Sequence, residues 1–231
     1  VAVKNFSLHI SKGELFGLLG PKGAGKTSLI SMLTGLYKPE KGNAWIAGYG
    51  ITNQIDEVRT NMGVCPQFDL LWPELTVREH LLFYARMRGI PAEKEKEMVE
   101  RAIEEVRLTQ SADFKTRQLS GGMKRRLSVA IAMVGDPKII FFDEPTTGLD
   151  PENRRQLWAI LAEARGDKAM VLTTHSMEEA DVLCSRIGII TDGALRCIGP
   201  QTKLKNKYGG GYHLYINCHK DNYLAKHMEI A

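Results

Sequence analysis

Gly20-Pro21-Lys22-Gly23-Ala24-Gly25-Lys26-Thr27 decides how the rest of this chain is read. The stretch fits G-x-x-x-x-G-K-[ST]. It stands between an apolar run, Leu15–Leu19, and a segment, Ser28–Leu36, with apolar residues at Leu29, Ile30, Leu33 and Leu36. The run reads as a buried strand and the segment as a helix, so the loop lies where a phosphate-cradling loop has to lie. Glycines let the backbone wrap closely around an anion, and the N–H groups at a helix N-terminus offer it the favourable end of the helix dipole. Lys26 is the candidate contact for the β- and γ-phosphates of a nucleotide, and the Thr27 hydroxyl for Mg²⁺. Ser28 completes the binding segment.

The second half of such a site is Ile139-Ile140-Phe141-Phe142-Asp143-Glu144. An apolar strand here delivers carboxylates at its C-terminal end, where the ligands of α/β sheets bind. Asp143 fits a Mg²⁺-holding role and Glu144, one residue on, the polarisation of an attacking water. A third stretch, Leu119-Ser120-Gly121-Gly122-Met123-Lys124, puts a serine and two glycines at a helix start, another anion-binding end. Two phosphate-cradling ends for one nucleotide make sense if a neighbouring copy lends the second.

Elsewhere, short apolar runs alternate with helical spacing. Glu40–Gly50 suggests a hairpin, Asn61–Cys65 a strand stopped by Pro66, and Val77–Arg88 and Glu93–Arg107 two amphipathic helices. A further helix runs from near Gly121 to before Asp136-Pro137. Asp150-Pro151 reads as an N-cap followed by Pro at the first helical position. Ala169–Thr173 is a strand, and Ser176 with Glu179 fits a capping box. Ile187–Ile190 and Leu195–Ile198 form a hairpin, and beyond Pro200 come a short helix and a strand at Tyr212–Cys218. The alternation predicts a doubly wound α/β core.

The signature at residues 119–124 resembles the LSGGQ motif of the ABC ATPases. The whole ordered set agrees: phosphate loop (Walker A), Gln67, signature, Asp143-Glu144 (Walker B), Leu149-Asp150 and His175. The resemblance implies the ABC ATPase fold: a P-loop NTPase core with a parallel sheet, an antiparallel β subdomain and an inserted helical subdomain at about 68–135. Residues 1–231 then form one nucleotide-binding domain, with 200–231 the start of a C-terminal extension. It further implies that Gln67 touches Mg²⁺ and the lytic water, that Asp150 lines a dimer interface, and that His175 contacts the γ-phosphate. Ser120, Gly121 and Gly122 would close over the ATP of a second nucleotide-binding domain.

Cys65-Pro66-Gln67-Phe68-Asp69-Leu70-Leu71-Trp72 and Thr174-His175-Ser176-Met177-Glu178-Glu179-Ala180 look like eukaryotic subfamily A transporters, which mostly move lipids or amphiphiles. The implied setting is the cytoplasmic face of a membrane, as part of an integral membrane protein, with Phe68–Trp72 as candidate docking surface for transmembrane domains. Trp72 fits a core position equally well. Two departures stand out. Lys22 replaces the small polar residue common in this loop. The adenine-stacking aromatic of the family belongs upstream of Val1, so the chain reads as a segment of a larger protein. Phe6 falls instead in a strand-like pattern with Val3, Leu8 and Ile10, as core.

Composition, with 43% hydrophobic and 25% charged residues, is ordinary for a soluble globular protein. A net charge of +4 rules out no class of partner but points only weakly to nucleic acid, which usually wants a basic face. The sharpest cluster, Lys124-Arg125-Arg126, fits the solvated face of a helix just as well. Cys65, Cys184, Cys197 and Cys218 are scattered and read as free thiols in a reducing compartment. The alternative function is a soluble ABC ATPase acting on nucleic acid or ribosomes. Relatives of the DNA-repair type insert a long coiled coil between Gln67 and Ser120, and here that gap holds only a few helices.

Overall fold

In this computed structural model, which describes residues 2–208, the apolar runs become the strands of one sheet. Strand β1 (Leu15–Leu19) leads through the glycine loop into helix α1 (Lys26–Leu33). A small antiparallel hairpin of β2 (Trp45–Ile46) and β3 (Tyr49–Gly50) follows, then α2 (Ile55–Thr60) and β4 (Met62–Cys65). The chain then leaves the sheet for α3 (Val77–Met87), α4 (Ala92–Glu105) and α5 (Gly121–Met133). It returns as β5 (Ile139–Asp143), α6 (Pro151–Ala164), β6 (Ala169–Thr174) and α7 (Met177–Leu183). The hairpin β7 (Arg186–Thr191) and β8 (Ala194–Gly199) and helix α8 (Gln201–Tyr208) complete the described chain.

The six-stranded sheet has the order β4-β5-β6-β1-β7-β8, parallel except for β8. Its inner strands β1, β5 and β6 are buried on both faces, as a covered parallel sheet requires. Alternation sends Leu15, Ile140, Phe142, Met170, Leu172 and Ile187 to a core shared with α3 to α8. Phe16, Leu18, Phe141, Val171 and Ile190 point the other way, to a core shared with α1 and α2. Each such fully buried Phe or Leu contributes about 1.5–3 kcal/mol of burial free energy.

Several expectations shift. Helix α1 starts at Lys26, two residues before Ser28, because the loop itself supplies the first turn. It ends before Gly35, whose left-handed φ of 73° breaks it. No strand forms over Val3–Ile10. Val3, Phe6, Leu8 and Ile10 nevertheless pack, half-buried, against the second core. At α7 only half of the capping box exists. Ser176 accepts from the Glu179 N–H, but the Glu179 carboxylate turns inward to accept from Thr146 Oγ1 (2.8 Å) and Trp158 Nε1 (3.2 Å). The expected strand at Tyr212–Cys218 lies outside the described residues. Among those residues, no helix is long and apolar enough to cross a membrane.

Candidate functional site

Four neighbouring strands, β4, β5, β6 and β1, deliver Gln67, Asp143-Glu144, His175 and the glycine loop to one edge of the sheet, at their C-terminal ends. The loop is shaped by glycines where side chains would be strained: Gly23 has φ 81° and Gly25, which opens α1, has φ 103°. Gly20 faces the Ile190 carbonyl of β7 so closely that a Cβ would collide with it. Lys22 projects from the exposed outer turn, while Lys26 is buried. Its Nζ donates to Gly20 O (2.7 Å) and Pro21 O (3.1 Å) and lies 3.4 Å from Glu144 Oε1.

Asp143 is held from two sides. Thr27 Oγ1 donates to one carboxylate oxygen (2.9 Å) and Thr173 Oγ1, fully buried on β6, to the other (2.5 Å). A carboxylate beside a hydroxyl is the hard-oxygen donor set that suits Mg²⁺. Among the described residues no group of three or more His, Cys, Asp or Glu is placed to hold a metal ion.

Glu144 has a left-handed φ of 44°, uncommon for a side chain of its size, and its N–H donates to Thr173 O and Thr173 Oγ1. Its Oε2 gathers Thr147 Oγ1 (3.1 Å), Gln67 Nε2 (3.4 Å) and His175 Nδ1 (3.4 Å). Burial, the largest single influence, pushes the Glu144 carboxyl up. Lys26, the Thr147 hydroxyl and His175 together more than reverse this, so its pKa lies below the ordinary carboxylate value. Glu144 is therefore ionised at neutral pH, and able to accept a proton.

Ser120, Gly121, Gly122 and Asp150 stand apart from this cluster. Among the described residues, no hydrogen bond or ion pair joins them to the loop or the carboxylates. Ser120 caps α5 through the Met123 N–H (3.3 Å), with Ser120 and Gly121 exposed. Asp150 caps α6 through the N–H groups of Glu152 (3.1 Å) and Asn153 (3.0 Å). Asn153 bonds Asp150 Oδ2 and packs against Gly122, so the two caps form one exposed patch. Ser28 is half-buried in the first turn of α1.

Sequence reasoning missed Thr173, Thr147 and Arg125. The basic cluster 124–126 is not a solvated face. Arg125 is 4% exposed, and half-buried Arg126 donates to the Val106 and Arg107 carbonyls at the end of α4. Its position held a signal: Arg125 shares its helix face with Val129 and Ala132, at i+4 and i+7, which are both buried.

On the helical side, Trp72 is neither wholly core nor wholly surface. It stacks on His80 (5.6 Å) and meets Phe83 edge-on (5.0 Å), yet is 46% exposed. With Glu74, Leu75 and Phe83 it lines a shallow groove of ≈ 310 Å³, and Phe68 and Leu70, a few residues earlier in the chain, are exposed.

A strand–loop–helix unit that meets a strand-borne Asp-Glu pair at the C-terminal edge of a parallel sheet defines a P-loop nucleotide hydrolase. Comparison with known proteins narrows the class. The ABC transporter family matches residues 3–147. ABC transporter A family member 7 of Arabidopsis thaliana is 52% identical over 214 residues, 92% of this chain and 23% of that protein. Member 3 of the same plant is 52% identical over 223 residues, 96% and 24%. Among solved structures, the ATP binding subunit of an ABC transporter superposes with a TM-score of 0.80 at 26% identity, covering 90% of this chain and 87% of that one. A dimeric post-hydrolysis state of the ATP-binding cassette MJ0796, bound to ADP and Pi, gives 0.76 at 27%, covering 86% and 90%. The chain belongs to the ABC transporter family, as an ATPase domain most similar to subfamily A. It spans about a quarter of the length of those relatives.

Proposed function

We propose that this domain hydrolyses ATP to power a membrane transporter, and that it does so in a head-to-tail pair with a second nucleotide-binding domain. One observation carries the reading. The site at the sheet edge gathers Lys26, Gln67, Asp143, Glu144 and His175, while the anion-binding start of α5 is exposed and turned to none of them. A partner's Ser120–Gly122 supplies the missing wall, and the dimeric state of the MJ0796 cassette supports that arrangement.

The loop N–H groups and Lys26 take the β- and γ-phosphates, Lys26 exchanging its carbonyl partners for phosphate oxygens. Thr27 and Asp143, with Gln67 nearby, would hold Mg²⁺, which neutralises phosphate charge when bound. Glu144 takes a proton from water as the water oxygen bonds to the γ-phosphorus and the bond to the bridging oxygen breaks, releasing ADP and phosphate. Gln67 orients that water and His175 steadies the γ-phosphate. Phosphoryl transfer asks for such positioning and charge more than for covalent help.

Closing and opening of the pair drives transmembrane domains, docked on the helical block of about 68–135 through Phe68–Trp72. The place of the domain is then the cytoplasmic face of a membrane. Similarity to subfamily A favours lipid or amphiphile as cargo. The test is Glu144→Gln in the full-length transporter: ATP binding persists, turnover is lost and ATP-bound pairs accumulate. Wild-type hydrolysis by that variant would remove Glu144 as the base.

A further inference from the structure

Arg125 is a charged side chain, 4% exposed, that no step above uses. It sits on α5, five residues beyond Ser120, and its guanidinium reaches across to two other elements. Nε donates to Pro145 O (2.6 Å) and Nη2 to Asp143 O (3.2 Å), the two carbonyls that flank Glu144. Nη1 donates to Pro66 O (2.7 Å) and Gln67 O (3.3 Å), and pairs with Asp69 Oδ1 (3.1 Å). One planar fork thus grips the backbone on both sides of Glu144 and at Gln67, whose side chains meet at 3.4 Å.

We propose that Arg125 is a positioning residue for hydrolysis: it holds Gln67 and Glu144 in one fixed geometry and ties both to the helix that begins at Ser120. A buried charge adds little net stability over an apolar side chain of similar volume, so stability is a poor reason for an arginine here. Geometry is a better one. The rigid fork of N–H donors serves acceptors in several directions at once, and the single ammonium of lysine cannot reproduce it. Because Glu144 already carries a left-handed backbone, its carboxylate depends on the carbonyls either side being pinned. Any rotation of α5 carries the guanidinium with it, so the exposed start of that helix and the water-activating pair move as one.

That role rests on Glu144 acting as base and Gln67 as its companion at the water. The test uses the full-length transporter with Arg125→Lys, Gln67→Ala and the double variant. Arg125→Lys should lower kcat roughly ten- to a hundredfold, the scale of a small misplacement of catalytic groups. KM for ATP and directly measured ATP affinity should move by less than about threefold, because the loss is confined to the chemical step. In the Gln67→Ala background, Arg125→Lys should cost little more, since both changes disable one unit. An unchanged kcat overturns the proposal, and so do losses that simply multiply, which mark general damage. If Arg125→Lys fails to fold, Asp69→Asn removes only its carboxylate partner. A smaller kcat loss, again not multiplying with Gln67→Ala, is expected there, and no loss or a multiplying one overturns the proposal. Glu144→Gln in the same series separates the two readings. Full turnover by that variant removes the base assignment, whereas its inactivity beside an unaffected Arg125→Lys removes Arg125 alone.

Discussion

The ammonium of Lys26 lies 3.4 Å from the carboxylate of Glu144, and both are buried. The cation that receives phosphate and the anion that receives a proton therefore share one pocket. Nucleotide entry must draw Lys26 toward the phosphates and free Glu144 for water. Lys26→Ala should abolish productive ATP binding, because it removes the buried cation of the loop and leaves the Glu144 carboxylate to repel phosphate. Equilibrium binding of ATP to the purified variant checks this, and affinity within a few-fold of wild type would refute it.

Assembly gives a second prediction. Ser120 and Gly121 are exposed and contribute nothing to the cluster on their own chain. ATPase activity of the isolated domain should therefore rise with protein concentration and nearly vanish on dilution, since association is a mass-action equilibrium. A specific activity constant across a wide dilution series would show that one chain holds a complete site.

Close packing gives a third. Gly63 on β4 faces the Ala132 carbonyl of α5, and a Cβ built there collides with backbone, which cannot yield as a flexible side chain would. Gly63→Ala should destabilise the domain by about 1–3 kcal/mol, the usual cost of overpacking. Chemical denaturation of variant and wild type measures it; equal midpoints would mean that strand and helix separate freely.

Much of this was legible in the residues because it is encoded locally. The glycine loop, Asp143-Glu144 and the Asp150-Pro151 cap each announce themselves by spacing, and the strands by apolar runs. What was not legible is whatever depends on the third dimension. Alternation at Val3–Ile10 says which residues face the core, but a strand also needs a partner edge. Instead Lys4 N–H reaches Gly193 O, and Gly13 N–H reaches Asp167 O. Glu179 looked like half of a capping box because Ser176 precedes it by three. Its carboxylate has stronger claims from Thr146 and Trp158, which only the fold brings near. Arg125 was hidden by its neighbours Lys124 and Arg126, since charge invites a surface reading. Thr173 carried no motif at all, and matters only because β6 lies beside β5 with Thr173 opposite Asp143.

The last prediction concerns pH and His80, a histidine that serves structure. His80 is fully buried under Trp72, where its Nε2 accepts from the Trp72 N–H (2.9 Å) and its Nδ1 lies 2.9 Å from Thr76 O. An acceptor Nε2 and a donor Nδ1 define the neutral ring. Protonation would set an N–H against the Trp72 N–H. Burial is the main influence and lowers the pKa from the ordinary 6.5, against smaller upward pulls from the Thr76 carbonyl and Glu79. The sign follows from linkage. Between the depressed folded value and the ordinary unfolded one, the unfolded chain binds the proton and the folded chain does not, so stability rises with pH there. The contribution of His80 is complete above the unfolded pKa and is lost as pH falls below 6.5 toward the folded value. His80→Gln abolishes the titration. The stability advantage of wild type over that variant, from denaturation at a series of pH values, should shrink steadily as the solution is acidified below 6.5. An advantage that stays level, or grows, on acidification would mean that the ring is charged in the folded protein and that the turn at Trp72–Thr76 is held some other way.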